Sequence, residues 1–431
     1  MGMSVRRPEA MARSLVPDAE GAGVAVIGAG IIGLCSALHL RRAGLDVTVY
    51  DAGGAAAGAS FGNAGLISID SCVPGPMPGM VVNVPRWLAD PLGPLTIDPS
   101  YLPRMFPWLY RFLRAGTPGR ALLAAQALNA MHRDSFDHYL DLLGSERFND
   151  LFRLSGQVQL WNGGPDTEAG RTVRKIWEQN KVKVEELQQH ELRQLVPDIS
   201  PEAKGGLFFP RNGYTVSPRR LVDTLLQCFL EEGGRFRQER VMRIAPEGGG
   251  RVRLVTNLDD DVFGKVVVSA GAWSRALLAP LCVKLALDTE RGYHVMVHGP
   301  SVDLRVPVLD KSRGFGATPL ENGIRIAGTV ELAGLDKPPN LKRADILLEH
   351  ARRLFPSLKG ERYTMWMGFR PSTPDSLPII DTVPGQPGIC IACGHGHFGM
   401  TAASTTGLVV AQKVLGNKTA IDADPYRLGR F

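Results

Sequence analysis

The chain has 431 residues, of which 44% are hydrophobic and 21% are charged, and its formal net charge is +6. This length and apolar content suffice for a large core and for two domains. Because Lys and Arg are spread along the whole chain without a long basic block, the charge pattern argues against nucleic-acid binding.

The N-terminus and the cysteines predict a cytoplasmic protein. Charged residues and a proline occupy positions 6–9 before any apolar stretch, which argues against a secretory signal, and residues 1–21 are predicted to be a flexible extension. The six cysteines lack the spacing of a disulfide framework and suit a reducing compartment. Cys390 and Cys393 lie three positions apart on a predicted strand, so their sulfurs should face opposite sides, and no metal site is predicted.

A glycine fingerprint follows the first apolar strand, residues 24–27. It consists of Gly28-Ala29-Gly30-Ile31-Ile32-Gly33 and opens a predicted helix over residues 31–42. In such a motif the first glycine permits a tight turn and the second lets the backbone approach a pyrophosphate. The third lets the helix pack close to the strand.

The acidic residue that completes this fingerprint is Asp51. A second strand, residues 46–50, leads to Asp51 and Ala52, and 51 minus 28 places Asp51 23 positions after Gly28. That spacing matches the roughly 20 residues expected for a carboxylate that binds the ribose hydroxyls. The pattern favours dinucleotide binding over the alternative, a tight turn followed by a surface aspartate.

Small residues dominate the next segment, residues 53–65. Their density suits a backbone that lies against a flat ligand, although a flexible loop is the alternative. The predicted cofactor contacts in and after this segment are Ser60, Asn63, Ala64, Gly65 and Leu66.

Prolines alternate with Met and aromatic residues between Pro74 and Gly119. This segment is either a packed irregular excursion or an apolar surface for a membrane, a quinone or a partner. The aromatic residues do not indicate a clean amphipathic helix, and the prolines argue against a spanning segment. Any membrane association should therefore be peripheral, on the inner face of the cytoplasmic membrane.

Helices and strands then alternate. Helices are predicted over residues 122–143, 168–179 and 219–232, with Ser217 capping the last, and strands over residues 154–161, 205–210, 236–241 and 265–269. The strand ending at residue 269 closes on an Ala-Gly pair, which gives the backbone another point of approach to a ligand at the carboxyl edge of the sheet. Further predicted cofactor contacts here are Val241, Ala270, Gly271 and Trp273.

A β pattern occupies residues 285–364. Strands are predicted over residues 293–298, 314–318 and 323–330, and Glu321-Asn322-Gly323 is a hairpin signal. A sheet between two cofactor-binding blocks is most simply a substrate domain that covers the cofactor.

A second glycine fingerprint follows an apolar strand near the C-terminus. It consists of Gly394-His395-Gly396-His397-Phe398-Gly399 and is followed by Met400 and Thr401. Two fingerprints at opposite ends of the chain indicate one extended dinucleotide held from both ends, which fits FAD better than NAD. The helix that starts here is predicted to offer N–H donors and its positive dipole end to the charge that develops at flavin N1 and C2=O.

Five motifs, in this order, carry a family resemblance: GAGIIG, GNAGLIS, ERGYHV, GFRPSTPDSLPII and CGHGHFGMT. Together they resemble the FAD-dependent D-amino acid oxidase superfamily, most closely its bacterial D-amino acid dehydrogenase branch, over about residues 24–415. The resemblance implies an α/β fold with a Rossmann-like FAD-binding domain built from discontinuous segments and a second, mixed-sheet α+β substrate domain. The segments assigned are 22–75, 216–284 and 366–415 for FAD, 76–215 and 285–365 for substrate, and 416–431 as a C-terminal tail. The cysteine and histidine that tether flavin in relatives have no evident counterparts, so noncovalent FAD is expected.

Oxidation of a C–N bond next to a carboxylate requires a group that holds that carboxylate. The resemblance assigns this role to Arg370, whose guanidinium can offer two parallel donors, and Gly368 joins the predicted cofactor contacts. Tyr293 either donates to the same carboxylate or packs in the core, and His294 and His397 are candidates near the ring system. We assign no acid or base, since a substrate amine that has lost its proton needs none.

Three functions follow as hypotheses. The leading one is a flavin dehydrogenase for D-amino acids, including cyclic ones such as D-proline derivatives, that passes electrons to a quinone or another carrier. The second is an oxidase that uses O2 on glycine, sarcosine or D-amino acids. The third is a non-catalytic FAD subunit of a heteromeric dehydrogenase.

Overall fold

The computed structural model describes residues 23–80, 90, 93–160 and 168–431. The predicted N-terminal extension, residues 1–21, lies outside the described residues. In chain order the strands are β1 (Val24–Ile27), β2 (Val47–Tyr50), β3 (Leu66–Ile67), β4 (Leu95–Ile97), β5 (Phe152–Arg153), β6 (Gln157–Leu160), β7 (Glu185–Gln188), β8 (Gly205–Phe209), β9 (Gly213–Thr215), β10 (Arg235–Arg237), β11 (Val241–Pro246), β12 (Val252–Thr256), β13 (Asp260–Phe263), β14 (Lys265–Val268), β15 (Asp288–His298), β16 (Val308–Asp310), β17 (Phe315–Leu320), β18 (Gly323–Leu332), β19 (Arg362–Ser372), β20 (Ile379–Val383) and β21 (Gln386–Cys393). The α-helices are α1 (Ile31–Arg42), α2 (Leu102–Ala115), α3 (Pro118–His132), α4 (Ser135–Leu151), α5 (Glu168–Gln179), α6 (Gln189–Leu195), α7 (Pro218–Glu231), α8 (Ser274–Leu278), α9 (Lys342–Leu354) and α10 (Gly399–Val414).

A six-stranded sheet, with the order β10-β2-β1-β14-β21-β20, forms the first half of the fold. Its first five strands are parallel and β20 is antiparallel. Helices α1, α3, α4, α7 and α10 pack on one face, and the small sheet β11-β12-β13 packs on the other. Cys390 belongs to the first core and Cys393 to the second, which confirms that their sulfurs lie on opposite faces.

The predicted boundaries of α1 and α5 agree with the structure; the glycine turn defines the start of α1, which is buried on most sides, and strong apolar periodicity defines α5. Ser217 caps α7 as predicted, and its hydroxyl accepts the N–H of Arg220 at 3.3 Å. The single helix predicted over 122–143 is instead two helices, α3 and α4, that are separated near Arg133.

A second sheet of nine strands forms the other half, with β19-β15-β18-β17-β16-β6-β8-β7 along its length and β4 beside β18. Helix α9 covers one face with a core that includes Val295, Ile326 and Leu347. Strand β15 pairs with β19 over its whole length, so that residue 290 lies opposite 370, 292 opposite 368 and 294 opposite 366. Because side chains alternate along a strand, these even-numbered residues share the face opposite α9.

Helix α2 corrects the prediction for the proline-rich segment. Residues 102–115 form a regular helix, although we expected an irregular segment without a clean amphipathic helix. Pro103 is compatible because it lies in the first turn, where the missing N–H has no helical partner. Met105 and Trp108 pack against Leu332, and the Trp108 indole N–H donates to the Ser372 carbonyl at 3.1 Å. Residues 81–89, 91 and 92 of this segment lie outside the described residues.

Two segment assignments differ from the structure. Strand β19 belongs to the nine-stranded sheet as far as Ser372, so the substrate half extends beyond residue 365. Helices α3 and α4 were assigned to the substrate domain, but their apolar side chains pack into the core of the six-stranded sheet. The C-terminal tail packs on the same half, because the buried Tyr426 hydroxyl donates to the Ala127 carbonyl at 2.7 Å.

Candidate active site

The two glycine fingerprints and the strand end at residue 268 converge on one edge of the six-stranded sheet. Parallel strands β1, β2, β14 and β21 are neighbours, and their carboxyl ends lead to Gly28, Asp51, Ala270 and Gly394. Ligands of doubly wound sheets bind at this edge. The topology therefore brings segments that are more than 300 residues apart in sequence to one place.

Two of the three glycines of the first fingerprint, Gly28 and Gly33, are sterically required. Gly28 has a φ of +111°, and a Cβ there would lie 2.4 Å from the Ser269 carbonyl oxygen. A Cβ on Gly33 would lie 1.9 Å from the Gly28 carbonyl oxygen, so any side chain would separate α1 from β1. By contrast, a Cβ on Gly271 would meet no atom within 4 Å, which leaves open space beside the third strand end.

Asp51 holds the turns at this edge together. One of its carboxylate oxygens accepts the Ala29 N–H and the other accepts the Gly53 N–H, each at 2.8 Å. The hydroxyl of Ser60 accepts the Ile31 N–H at 3.0 Å, in the first turn of α1. Each carboxylate oxygen keeps a further lone pair, so Asp51 can still accept a hydroxyl from a ribose.

The small-residue segment 53–65 is tied to the nine-stranded sheet. Arg325 donates to the carbonyls of Phe61 at 3.2 Å and Asn63 at 2.6 Å, and the Asn63 side chain accepts the Gly65 N–H at 2.8 Å. Thr401 in α10 accepts the N–H of Ser68 at 3.0 Å. These bonds fix the segment between the two sheets and argue against the flexible-loop alternative.

Of the two histidines in the second fingerprint, one is buried and one is exposed. His395 is 3% exposed and its Nε2 lies 3.0 Å from the Thr406 hydroxyl; burial, with His132 nearby, lowers its pKa to about 3. Phe398 packs its ring against His132, and Met400 is buried. His397 is half exposed and its Nε2 lies 2.7 Å from a carboxylate oxygen of Glu290.

Arg370 lies on the sheet face that points away from α9. Its guanidinium covers Gly292, where an added Cβ would be 2.1 Å from Cζ, and it donates to the Thr329 carbonyl at 2.9 Å. Thr329 itself has a φ of +54°, an unfavourable conformation for a β-branched residue, and is buried. The half-buried cation is thus held by backbone oxygens and by the absence of a side chain at position 292.

The structure corrects two of the predicted catalytic residues. Tyr293 lies on the opposite face from Arg370, where it is fully buried and donates to Glu331 at 2.6 Å, so it packs in the core. His294 shares the face of Arg370, but its ring stacks on Trp366 and its Nδ1 lies 3.1 Å from the Gly62 carbonyl. Burial, with Arg325 nearby, lowers the pKa of His294 to about 3, so it is a neutral contact between sheet and loop.

Three predicted cofactor contacts lie at the margins of the site. A Cβ on Gly368 would lie 1.9 Å from the Trp366 ring, so this glycine makes room for the tryptophan. Trp273 is half exposed and contacts the Phe369 ring, with centroids 5.7 Å apart. Val241 begins β11, beside the core on the second face of the six-stranded sheet.

Sequence reasoning did not select Glu290 or Trp366. Both lie at even-numbered positions on the same sheet face as Arg370: Glu290 is opposite Arg370 on β15, and Trp366 lies on β19 itself, opposite His294. The two-residue period of these strands could have found Glu290. Once Arg370 is assigned to one face of the sheet, the period places Glu290, Gly292 and His294 on the same face.

The arrangement fits FAD. The required glycines, the Asp51 carboxylate and the open space beside Gly271 lie along one sheet edge, and Arg370 lies on the facing sheet. This geometry can hold an extended dinucleotide and, next to it, a small carboxylate.

Comparisons with known proteins agree with this geometry. A family model described as "DAO: FAD dependent oxidoreductase" matches residues 23–413. A D-amino-acid oxidase from Bradyrhizobium diazoefficiens is 36% identical over 423 residues, which cover 96% of this chain and 99% of that protein. A D-amino acid dehydrogenase from Allorhizobium ampelinum is 28% identical, with coverage of 95% and 98%.

Two solved structures share the fold at lower identity. Glycine oxidase from Geobacillus kaustophilus superimposes with a TM-score of 0.72 at 22% identity, covering 95% of this chain and 99% of that one. L-proline dehydrogenase from P. horikoshii superimposes with a TM-score of 0.73 at 18% identity, covering 96% and 98%.

Proposed function

The chain belongs to the DAO family of FAD-dependent oxidoreductases, and on this premise we propose that it oxidises the C–N bond of a D-amino acid, cyclic ones such as D-proline derivatives included. The observation that carries the proposal is the guanidinium of Arg370, which is held over Gly292 on the sheet that faces the FAD-binding edge. Arg370 binds the substrate carboxylate with two parallel donors and fixes the substrate's orientation. When bound, FAD would supply the two-electron oxidising power for removal of a hydride from the carbon that carries the amine.

The chain's own residues have separate tasks around that reaction. The turn at Gly28 and Gly30 would let the N-terminus of α1 approach the pyrophosphate, Gly33 lets α1 pack close to β1, and Asp51 would bind the ribose. The 3-10 turn Gly396–Phe398 and the start of α10 lie at the FAD-binding edge, where their backbone N–H groups and positive dipole end would stabilise negative charge on the flavin. The FAD is proposed to be noncovalent.

The outer face of α2 supports a proposal about the electron acceptor. Leu102, Phe106, Tyr110 and Leu113 share one stripe of the helix and are all exposed, Phe106 at 66%. Between Asp98 and Asp134 the chain carries five arginines and no acidic residue, and three of these arginines lie on α2. An apolar stripe beside basic residues suits the surface of an anionic bilayer. Among the described residues no helix is long and apolar enough to cross a membrane, so contact would be peripheral.

The inner face of the same helix adjoins the proposed substrate site. Trp108 donates to the carbonyl of Ser372, two residues after Arg370, and Met105 packs beside Val330, which follows Thr329. Helix α2 would thus separate Arg370, which we call the carboxylate clamp, from the lipid, and we propose a membrane quinone as acceptor. The similarity to a D-amino-acid oxidase favours the second candidate, an oxidase that uses O2.

Activity measurements test the substrate and the acceptor. A panel of D-amino acids, hydroxyprolines and N-methyl amino acids is assayed with an artificial electron acceptor, and D-amino acids are expected to be turned over best. Rapid mixing of the reduced enzyme with air or with a quinone analogue should show faster reoxidation by the quinone. Faster reoxidation by O2 would establish the oxidase instead.

Vesicle flotation tests the surface of α2. Anionic vesicles should carry the wild-type protein upward and neutral vesicles should not, and Phe106→Ser with Leu113→Ser should abolish flotation. The matched control is Leu258→Ser, since Leu258 is 72% exposed in the turn that precedes β13. Equal flotation of the double variant and the control would exclude α2 as the docking surface.

A further inference from the structure

Glu290 is the nearest neighbour of Arg370 across the β15–β19 pair, on the same face of the sheet. Their side chains diverge from this point. The guanidinium leans over Gly292 toward the Thr329 carbonyl on β18, while the carboxylate of Glu290 points to His397, 2.7 Å away. A cation and an anion are thus held side by side, each by its own partner.

His397 places this carboxylate next to the second glycine fingerprint. It belongs to the turn Gly396–Phe398, which follows strand β21 at the FAD-binding edge. The side chain of Glu290 is 14% exposed, whereas that of His397 is 51% exposed. The carboxylate of Glu290 therefore extends from the sheet that carries Arg370 toward the edge where the cofactor is expected, and it is accessible to a small ligand.

Glu290 is an anion at neutral pH. Burial by itself would raise the pKa of its carboxyl group, but His397, Arg370 and Ser372 outweigh that effect and leave the pKa below its ordinary value. A largely buried carboxylate that keeps its charge attracts a cationic ligand.

We propose that Glu290 binds the ammonium group with which the substrate enters, before the proton loss that hydride removal requires, next to the carboxylate that Arg370 binds, and that His397 is a positioning residue that holds the Glu290 carboxylate. The inference rests on the proposed function, because it assumes that an amino acid enters this site. An α-amino acid carries its two opposite charges on adjacent carbons, and the Arg370–Glu290 pair offers their two complements on adjacent strands. The pair would exclude 2-hydroxy acids, which have the carboxylate but no positive group and would leave Glu290 unpaired.

Two probes separate the ammonium from the carboxylate. 2-Methylalanine has both charges and isobutyrate has only the carboxylate, and the former lacks the α-hydrogen that oxidation removes. Their dissociation constants are measured with the FAD-loaded protein by the change in flavin absorption and by calorimetry. The variants are Glu290→Gln, Glu290→Asp and His397→Gln, with Glu361→Gln as the matched control, an exposed carboxylate just before β19.

We expect Glu290→Gln to weaken 2-methylalanine binding at least tenfold and to leave isobutyrate binding within twofold or tighter. Glu290→Asp should recover part of the loss, His397→Gln should weaken 2-methylalanine less than Glu290→Gln does, and Glu361→Gln should match the wild type. With an oxidisable D-amino acid, Glu290→Gln should raise KM more than it lowers kcat.

Several results would overturn the inference. One is that Glu290→Gln weakens the binding of both probes equally, or of neither. Another is that the wild type binds isobutyrate as tightly as 2-methylalanine. Wild type that binds neither probe would overturn both the inference and the Arg370 clamp. If the wild type binds both probes as expected but oxidises no D-amino acid, the proposed function fails while the ammonium site stands.

Discussion

Gly292→Ala is the most specific test of the carboxylate clamp, because it changes neither the charge nor the length of Arg370. The added Cβ would lie 2.1 Å from Cζ of Arg370, whereas an ordinary contact begins at 3.4 Å. The guanidinium must therefore retreat by the difference, about 1.3 Å. The φ of Gly292 is not in the left-handed region, so alanine is compatible with the backbone there.

The expected loss of kcat/KM in Gly292→Ala follows from the hydrogen bonds that this displacement of the guanidinium breaks. The bond from Arg370 to the Thr329 carbonyl is 2.9 Å long and would be lost or badly strained. The two donors that face the substrate carboxylate would move with the rest of the group. Hydrogen bonds to charged groups contribute about 1.5–3 kcal/mol each, so losing the equivalent of one lowers kcat/KM by about 10- to 150-fold.

The assay compares kcat/KM for a D-amino acid with an artificial acceptor, together with FAD content and melting temperature. Gly316→Ala is the matched control, since it lies on the same sheet and its new Cβ would contact the Leu309 side chain at 3.3 Å and the Val308 carbonyl oxygen at an ordinary 3.6 Å. Gly292→Ala should retain FAD and lose activity, and Gly316→Ala should retain both. A kcat/KM for Gly292→Ala within twofold of the wild type would refute the placement of the clamp over Gly292.

Three further predictions concern the clamp, the cofactor and pH. Arg370→Lys and Arg370→Ala should keep FAD bound but lower kcat/KM by the roughly 2–5 kcal/mol typical of a broken buried charge pair; near-normal efficiency in both would remove Arg370 from the site. Denaturation should release FAD, and not FMN or NAD, into the supernatant, because no covalent tether is expected; flavin that stays with the precipitate would contradict this. His395, with a pKa of about 3 when folded against about 6.5 when unfolded, binds a proton only in the unfolded chain between those values, so it removes stability as pH falls below 6.5. Its contribution reaches roughly 2 kcal/mol at pH 5, and denaturant titrations at pH 7 and pH 5 should show a smaller decline in His395→Gln than in the wild type.

The cofactor half could be predicted from the sequence because its constraints are local. A strand, a glycine turn and a helix lie within about 20 residues, and the steric requirement at Gly28 and Gly33 limits those positions to glycine. The distance between the two fingerprints did not matter, since both lie at the ends of adjacent parallel strands. Which parts of the chain form each half was harder to predict, because α3 and α4 lie between segments of the nine-stranded sheet in sequence and yet pack on the six-stranded one.

Helix α2 was missed because propensity and packing conflict there. Two prolines in 14 residues reduce helical propensity, and the apolar residues form one broad arc opposite Arg104, Arg111 and Arg114 instead of a narrow stripe. The side of this arc that contains Met105 and Trp108 is buried, while the side that contains Phe106 and Leu113 is exposed. One side of the apolar arc thus packs on the protein and the other side faces outward, which suits a position between protein and lipid.

Strand alternation explains the errors at the clamp. Glu290-Arg291-Gly292-Tyr293 forms one motif in the sequence, but its odd and even members lie on different faces of β15. Arg291 and Tyr293 join Glu331 in the core under α9, with Arg291 fully buried and donating to the carbonyls of residues 334 and 337. Glu290 and Gly292 face the substrate side. Neighbouring residues of one sequence motif can therefore serve two unrelated purposes. Here one is to bury Arg291 with all-carbonyl hydrogen-bond partners, and the other is to leave an open surface beside Arg370. Given that geometry, a change at Tyr293 should affect stability, and a change at Glu290 should affect which ligands bind.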